Sequence, residues 1–261
     1  MENSDYSKKD ILIALRNAGL VKGDDILVHS NLGFFGKLDG NKESVDYCQA
    51  FAEAIFDVIG NEGTLIVPTF TYSFCWNKIF DLEKTATSDC GIFSEYIRKK
   101  PNAIRTKDGI HSITAVGNNV EYYTHDPPEH SFGTNSFWER FLKKDGKICR
   151  FNLNPDFNTF IHYVEKQLDV PYRFDKEFVG KMIIDGENFV GKNIHFVRDL
   201  NDERTVPDLS KLESKMKKMD LIKISNLGKG QILCYSSSDI FRVIENEMKE
   251  DPNFLIKGEF A

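Results

Sequence analysis

Residues 26–68, ILVHSNLGFFGKLDGNKESVDYCQAFAEAIFDVIGNEGTLIVP, decide the fold class. The apolar run 26–30 predicts a strand, and the run 64–68 predicts a second one. Between them, apolar side chains recur at helical spacing from Ser44 to Ile59. Two strands joined by a helix favour a βαβ unit with a parallel sheet, so we expect an α/β protein.

The carboxyl ends of these two predicted strands carry hydroxyl side chains, at Ser30 and in Pro68–Thr71. In open α/β sheets, ligands bind outside the carboxyl ends of the parallel strands. Gly33 and Gly36 in the first loop would let a pyrophosphate approach the backbone. Ordinary loop glycines would give the same spacing, because neither a Walker loop nor a G-x-G-x-x-G pattern is present.

A second informative segment, Arg105–Gly117, places His111 between a turn signal, Asp108-Gly109, and an apolar run that predicts a buried strand. Histidine is the side chain best suited to move protons near neutral pH. A catalytic histidine must be held by its surroundings and still be reachable, and a strand end offers both. The alternative is a hydrogen-bonded strand-end histidine without a catalytic role.

The composition excludes several classes of protein. The chain has 261 residues, 41% of them hydrophobic, and a net charge of −6, which argues against a nucleic-acid surface. Its start lacks the apolar core of a signal peptide, and no apolar run approaches the ~20 residues of a membrane span, so we expect a soluble cytoplasmic protein. Five scattered cysteines without a C-x-x-C pair indicate neither a disulfide framework nor a zinc site. No linker or repeat divides the chain, which predicts one domain over residues 1–261.

Two further candidate sites remain open. His162 and Glu165 lie on one face of a predicted helix and could form an acid–base pair or a merely structural pair. No third and fourth ligand follow at close spacing, so no metal is predicted. A hydrolase using Ser30 or Ser112 is an alternative, but the chain lacks a G-x-S-x-G elbow. His111 and Ser112 are neighbours whose side chains point to opposite faces of a strand, so they cannot form a standard dyad.

Six segments, taken in order, resemble the aminoglycoside 3-N-acetyltransferase family, the antibiotic N-acetyltransferase-like proteins. They are Val28–Leu32, Gly63–Thr71, Gly91–Glu95 with Arg98, Arg105–Ser112, Phe132-Gly133 with Ser136, and Asn158–Glu165. The resemblance implies a three-layer αβα fold with a central mixed, partly parallel sheet. It also implies acetyl-CoA or another acyl-CoA as co-substrate.

The resemblance further implies a role for individual residues. His111 would be the general base that takes a proton from the acceptor amine, which then attacks the thioester directly. Glu165 would be a second catalytic residue, which either orients His162 or binds the substrate cation. Contacts to acyl-CoA would come from Ser30, Asn31, Leu32, Gly33, Thr69, Thr71 and Ser112, and contacts to the acceptor from Tyr72, Asp156, Asn158 and His162.

Departures from the family pattern bear on the acceptor. The family often has proline at the position of Gly109 and glycines at the positions of Asn152 and Asn154. Acidic loops that would meet a polycationic antibiotic are not evident. Relatives of this compact length resemble members found in surface-polysaccharide synthesis, which predicts an amino sugar, free or nucleotide-linked, as the small-molecule acceptor. The alternative is an aminoglycoside 3-N-acetyltransferase that confers antibiotic resistance. We expect no nucleic-acid or membrane partner, and a homodimer is one expected assembly.

Overall fold

The computed structural model of the chain describes residues 4–40 and 43–259. Its strands are β1 (Asp25–Ser30), β2 (Thr64–Pro68), β3 (Phe80–Asp81), β4 (Ile104–Arg105), β5 (Ile113–Gly117), β6 (Lys147–Phe151), β7 (Arg173–Ile184), β8 (Glu187–Arg198), β9 (Lys223–Leu227) and β10 (Gly230–Ser236). Its α-helices are α1 (Lys8–Asn17), α2 (Ser44–Ile59), α3 (Gly91–Arg98), α4 (Val120–Thr124), α5 (Phe137–Lys143), α6 (Phe160–Gln167), α7 (Ser210–Lys218) and α8 (Ser237–Glu250). None of the helices described is both long and apolar enough to cross a membrane.

Seven strands form the central sheet, in the order β4-β5-β2-β1-β6-β10-β9. β1 pairs in parallel with β2 and with β6, whereas β5 runs antiparallel to β2 and β10 runs antiparallel to β6. The βαβ unit predicted for residues 26–68 is therefore present as β1, α2 and β2. The prediction of an α/β fold with a mixed, partly parallel sheet is confirmed.

The two faces of the central sheet bury two separate apolar cores. Successive residues of β1 point to opposite faces, so Leu27 packs into one core and Val28 into the other. Helices α1, α2 and α3 cover the Val28 face, and helices α4 to α8 cover the Leu27 face. Fully burying a side chain such as Phe51 contributes roughly 1.5–3 kcal/mol, and many such residues hold the three layers together.

A smaller sheet, in the order β3-β7-β8, is built on a long hairpin. The sequence predicts only two pieces of it, 181–184 and 194–197, because elsewhere exposed apolar residues such as Phe174 and Val190 stand among the polar ones and no clear alternation results. The ring of Phe74, in the loop after β2, sits against the backbone of the hairpin. A Cβ added at Gly180 or Gly191 would lie 2.2 or 2.8 Å from this ring, so only glycine fits there. The hairpin is thereby fastened to the loop that follows β2.

Candidate active site

The strand directions bring the predicted site residues to one edge of the central sheet. β1 and β2 are parallel, so both end at this edge. β5 is antiparallel to β2, with Ile113 opposite Pro68, so the start of β5 lies where β2 ends. His111, two residues before β5, therefore reaches the edge that carries Ser30.

A cavity of about 840 Å³ opens at this edge. Many of the predicted site residues line it: Ser30, Asn31, Leu32, Gly33, Tyr72, His111, Asp156, Asn158 and His162. The other lining residues are His29, Pro68, Phe70, Ser88, Asp89, Cys90, Gly91, Ile92, Leu153, Phe157 and Thr159. The structure thus gathers residues from five separate segments of the chain around one space large enough for a small-molecule substrate.

Three predicted acyl-CoA contacts do not reach the cavity, which corrects their assignment. Thr69, Thr71 and Ser112 are buried, and their hydroxyl groups bond within the protein. The hydroxyl of Thr69 donates to the carbonyl of Ser112 (3.1 Å), and that of Thr71 donates to the carbonyl of Gly109 (3.1 Å). Ser112 Oγ donates to the carbonyl of Thr69 and accepts from Arg105 Nε. These residues hold the end of β2 against the turn before β5 instead of binding a ligand.

The turn that carries His111 is held from several sides. Asp108 Oδ1 accepts from the backbone N–H groups of Ile110 (2.8 Å) and His111 (2.9 Å), and its Oδ2 accepts from the hydroxyl of Ser131 (2.7 Å). Asn193 Oδ1, on the hairpin, accepts from the N–H of Gly109 (3.0 Å). Burial raises the pKa of Asp108, and these hydrogen bonds offset part of that effect. The backbone beneath His111 is therefore fixed.

The imidazole of His111 lies among rings, and no carboxylate of the described residues pairs with it. It stacks on Phe70 with ring centroids 4.2 Å apart and meets His195 edge-on at 4.3 Å. Its Nδ1 is buried without a hydrogen-bond partner among the described residues. Burial, followed by repulsion from His195 and His162, lowers the pKa of His111 well below its ordinary value. The ring is therefore uncharged at neutral pH.

His162 has a different environment. Its Nδ1 lies 2.8 Å from Glu165 Oε2, and the same oxygen lies 2.7 Å from Nε of Arg173. Burial and Arg173 lower the pKa of His162, and Glu165 offsets part of that effect. Burial raises the pKa of Glu165, but Arg173 and His162 outweigh it and the net pKa is lowered. The carboxylate is thus ionised and accepts from Nδ1–H, which leaves the lone pair on Nε2 of a neutral imidazole.

Glu165 itself does not touch the cavity. Its side chain is fully buried behind His162, whose side chain is 22% exposed and lines the cavity wall. A substrate in the cavity therefore meets the imidazole and not the carboxylate. Of the two roles expected for Glu165, this placement favours orientation of His162 over contact with a substrate cation.

Sequence reasoning missed two residues of the site, His195 and Phe132. His195 reaches His111 only because β8 folds back over the site, and no local pattern indicated this contact. Phe132 lies in the segment 126–133, whose two adjacent prolines, Pro127 and Pro128, predict an exposed loop. The structure buries Phe132 completely, with its ring centroid 5.7 Å from that of His162 and 4.8 Å from that of His195.

The cavity wall is poor in charge. Its only carboxylates among the described residues are Asp89 and Asp156, and no described lysine or arginine lines it. Backbone N–H groups are available at the cavity wall, because the first residues of α3 and of the 3₁₀-helix Leu32–Phe35 line it. Gly91 approaches the end of β1 so closely that a Cβ would lie 2.9 Å from the carbonyl oxygen of Ser30. Within the described residues, no three His, Cys, Asp or Glu side chains are placed to hold a metal ion.

The alternative of a serine hydrolase gains no support from this geometry. Ser30 Oγ is buried and has no hydrogen-bond partner among the described residues, so no base activates it. Ser112 Oγ lies in the interior and is engaged with Thr69 and Arg105. A serine nucleophile requires a base within hydrogen-bond reach, and neither serine has one.

Comparison with known proteins gives a consistent picture. A protein-family model described as aminoglycoside 3-N-acetyltransferase matches residues 27–249. Aminoglycoside N(3)-acetyltransferase VII of Streptomyces paromomycinus is 24% identical over 74% of this chain and 70% of its own length. Aminoglycoside N(3)-acetyltransferase IV of Salmonella sp. is 28% identical over 64% of this chain and 62% of its own length. The matched part of this chain therefore covers 70% of the first relative's length and 62% of the second's.

Solved structures show the same fold at low sequence identity. Aminoglycoside acetyltransferase AAC(3)-Xa superposes with a TM-score of 0.80 at 19% identity, covering 93% of this chain and 92% of its own. AAC-IIIb, in a binary complex with CoASH, superposes with a TM-score of 0.79 at 18% identity, covering 98% of each chain.

Proposed function

Because the chain belongs to the aminoglycoside 3-N-acetyltransferase family, we propose that it moves an acetyl group from acetyl-CoA to an amine of an aminoglycoside or related amino sugar, with His162 as general base. Membership in this family makes the chain an acyl-CoA-dependent N-acyltransferase. The observation that carries the proposed mechanism is that His162, at the cavity wall, contacts the ionised Glu165 buried behind it.

The proton transfer decides which histidine acts as base. An ammonium group cannot attack a thioester until it has lost a proton, and a neutral imidazole with a free nitrogen can take it. His111 and His162 both line the cavity, but only His162 has a carboxylate at 2.8 Å. That charge stabilises the imidazolium as it forms and fixes Nε2 as the proton acceptor. We therefore propose that His162, and not His111, is the general base. His111 would contact the reactants in its uncharged form.

The acyl-CoA would lie along the edge formed by β1 and α3. Leu32, Gly33 and the start of α3 offer backbone N–H groups, which suit a pyrophosphate or the oxyanion that forms during attack on the thioester. The scarcity of basic side chains in the wall supports this use of the backbone. The fold neighbour AAC-IIIb was solved with CoASH, which agrees with acyl-CoA as co-substrate.

The names of the relatives favour an aminoglycoside over a nucleotide-linked sugar of surface-polysaccharide synthesis as acceptor. Asp89 and Asp156 would meet ammonium groups of such an acceptor, and Tyr72 and Asn158 would contact its rings and hydroxyl groups. We further propose that residues 1–261 form a single N-acyltransferase domain, since both apolar cores pack on one sheet. A homodimer stays a prediction.

Release of free thiol from acetyl-CoA tests the proposal. The acceptors are sisomicin, apramycin, glucosamine and a nucleotide-linked amino sugar, with a reaction lacking any acceptor as reference. We expect thiol release that depends on an added amine, together with N-acetylated product by mass spectrometry. Thiol release at the same rate without acceptor would instead show a thioesterase and contradict the proposal.

A further inference from the structure

We propose that Cys149 and Cys234 are a site of oxidative modification, at which a disulfide bond joins β6 to β10 and stabilises the central sheet. The two cysteines are 85 residues apart in the chain, so no local sequence pattern indicates the pair. The inference concerns the sheet and not the cavity, and it does not depend on the proposed acetyl transfer.

The first support is the pairing of the two strands. β10 runs antiparallel to β6, and Cys234 lies directly opposite Cys149. Three positions further along the same pairing, the N–H of Asn152 donates to the carbonyl of Gln231. Hydrogen-bonded and non-hydrogen-bonded pairs alternate in an antiparallel ladder, so the two cysteines form a non-hydrogen-bonded pair, in which opposite Cα atoms are about 4.5 Å apart. That separation lies within the ~4.4–6.8 Å found for disulfides.

The second support is the position of the two sulfur atoms. Sγ of Cys234 lies 2.7 Å from Sγ of Cys149. Unbonded carbon atoms rest about 3.5–4.0 Å apart, and sulfur is the larger atom, so the two thiols are closer than ordinary packing places them. Both side chains point to the Val28 face of the sheet, so neither strand has to turn for the sulfur atoms to meet. A further approach to about 2.04 Å would make the covalent bond.

The surroundings of the pair determine when the bond forms. Cys149 and Cys234 are 0% and 2% exposed. Burial, and then the hydrogen bond with Cys234, raises the pKa of the Cys149 thiol well above its ordinary value. Because the thiolate is the attacking species, these thiols oxidise slowly in the folded protein. The bond therefore forms while the chain folds, before the helices of the Val28 face cover the pair, and is then shielded from reductants.

The co-reactant is a small-molecule disulfide such as oxidised glutathione. One cysteine loses its proton to solvent and attacks the glutathione disulfide, which gives a mixed disulfide and releases one glutathione thiolate. The second cysteine, also deprotonated, attacks the protein sulfur of the mixed disulfide and releases the other. The two protein thiols are thereby oxidised by two electrons, and one glutathione disulfide is reduced to two thiols. The new bond closes a long loop, which restricts the unfolded chain and so stabilises the folded one.

Refolding of the full chain in a glutathione buffer tests the pair. The reduced protein is unfolded in guanidinium chloride, refolded with reduced and oxidised glutathione, and treated with iodoacetamide under denaturing conditions. We expect an oxidised product in which one pair of proteolytic fragments is linked through Cys149 and Cys234. The Tm of this product should lie about 5 °C or more above that of the reduced protein. The other cysteines, which should all be alkylated, are Cys48, Cys75 and Cys90.

Two alanine variants complete the test. Cys149→Ala should abolish both the link and the rise in Tm on oxidation. The matched control is Cys48→Ala, because Cys48 is also buried in the core of the Val28 face but lies on α2. This control should keep the link between Cys149 and Cys234. If Cys149→Ala does not fold, the linked fragments and the Tm of the wild-type protein still decide the matter.

Three results would overturn the inference: alkylation of all five cysteines after oxidative refolding, links through other cysteines in place of this pair, or a link that leaves the Tm unchanged. Each of these results would leave the proposed acetyl transfer standing, because thiol release from acetyl-CoA is measured separately on the reduced protein.

Discussion

The turn before β5 and the start of α6 each present a histidine to the same cavity, yet the two rings stand in different surroundings. His111 is stacked on Phe70 and faces other rings, and its pKa is lowered by burial with no opposing charge. His162 rests on an ionised, fully buried Glu165, which Arg173 holds in place. The comparison teaches that access to a substrate does not by itself make a base. The charge behind the ring decides how readily the ring accepts a proton.

The largest expected effect separates the two histidines directly. His162→Ala should lower kcat by about 10²–10⁴-fold at saturating acetyl-CoA, because general-base catalysis supplies a factor of that size. The measurement is thiol release with sisomicin, with CoA affinity determined by calorimetry as a check that the cavity is intact. His125→Ala, at an exposed position outside the cavity, is the matched control and should keep wild-type activity. A folded His162→Ala protein with undiminished kcat would assign the proton transfer elsewhere.

Removal of the charge behind His162 should sharpen the comparison. Glu165→Gln takes away the group that raises the pKa of His162, so that pKa should fall further and the imidazolium should be less stabilised. We expect kcat to drop roughly 10- to 100-fold. The base is active in its neutral form, so activity is lost as pH falls through the His162 pKa, and this acidic limb should move to lower pH in Glu165→Gln.

The pH dependence of kcat/KM measures that shift, with the exposed Glu121→Gln as control. Arg173→Gln should move the limb in the opposite direction, because Arg173 lowers the pKa of His162. Acidic limbs that coincide in all the variants would show that His162 is not the titrating base. Since removal of one partner from a buried ion pair costs about 3–5 kcal/mol, thermal unfolding should confirm that each protein is folded at the assay temperature.

A smaller effect is expected from substitution of His111. His111→Phe keeps an aromatic ring on Phe70 but removes both nitrogens, so we expect kcat/KM for the acceptor to fall by only about 10-fold, the size of one lost neutral hydrogen bond. Steady-state kinetics with sisomicin and acetyl-CoA would measure it. A loss of 10³-fold or more for His111→Phe, about that expected for His162→Ala, would return the role of base to His111.

The smallest effect is expected from a change in the hydrogen bond that holds the turn of His111. Asn193→Ala removes the acceptor for the N–H of Gly109 and should loosen the turn of His111 while leaving α6 in place. We expect kcat/KM to fall about 2- to 5-fold without a change in the acidic limb of the pH profile. Asn201→Ala, at an exposed position, is the control. A shift of the acidic limb in Asn193→Ala would show that the turn of His111 influences the pKa of His162, contrary to this expectation.

Local sequence patterns were sufficient for much of the fold. The runs 26–30 and 64–68 are short and mostly apolar, and both form strands that are buried throughout. The helix from Ser44 to Ile59 forms as predicted because its apolar residues recur at helical spacing. A cavity opens at the carboxyl ends of β1 and β2, where the sequence predicts ligand binding. The hairpin β7–β8 escaped prediction over much of its length because its exposed strands lack a clear alternation.

The site was harder to predict because its chemistry depends on contacts between distant segments. Thr69 and Ser112 were expected to bind acyl-CoA, but the antiparallel pairing of β2 with β5 turns their hydroxyl groups into the protein. The spacing of His162 and Glu165 was visible in the sequence. What it could not show was the contact of Glu165 with Arg173 at the start of β7, which keeps the carboxylate ionised.

Chemical rescue tests the central claim most directly. A cavity left by His162→Ala can admit free imidazole, which would take the proton in place of the missing side chain. We predict that added imidazole raises acceptor-dependent thiol release by His162→Ala at least about 10-fold and leaves His111→Ala within about 2-fold of its own rate. Rescue of His111→Ala with none for His162→Ala would contradict the assignment of His162 as the base.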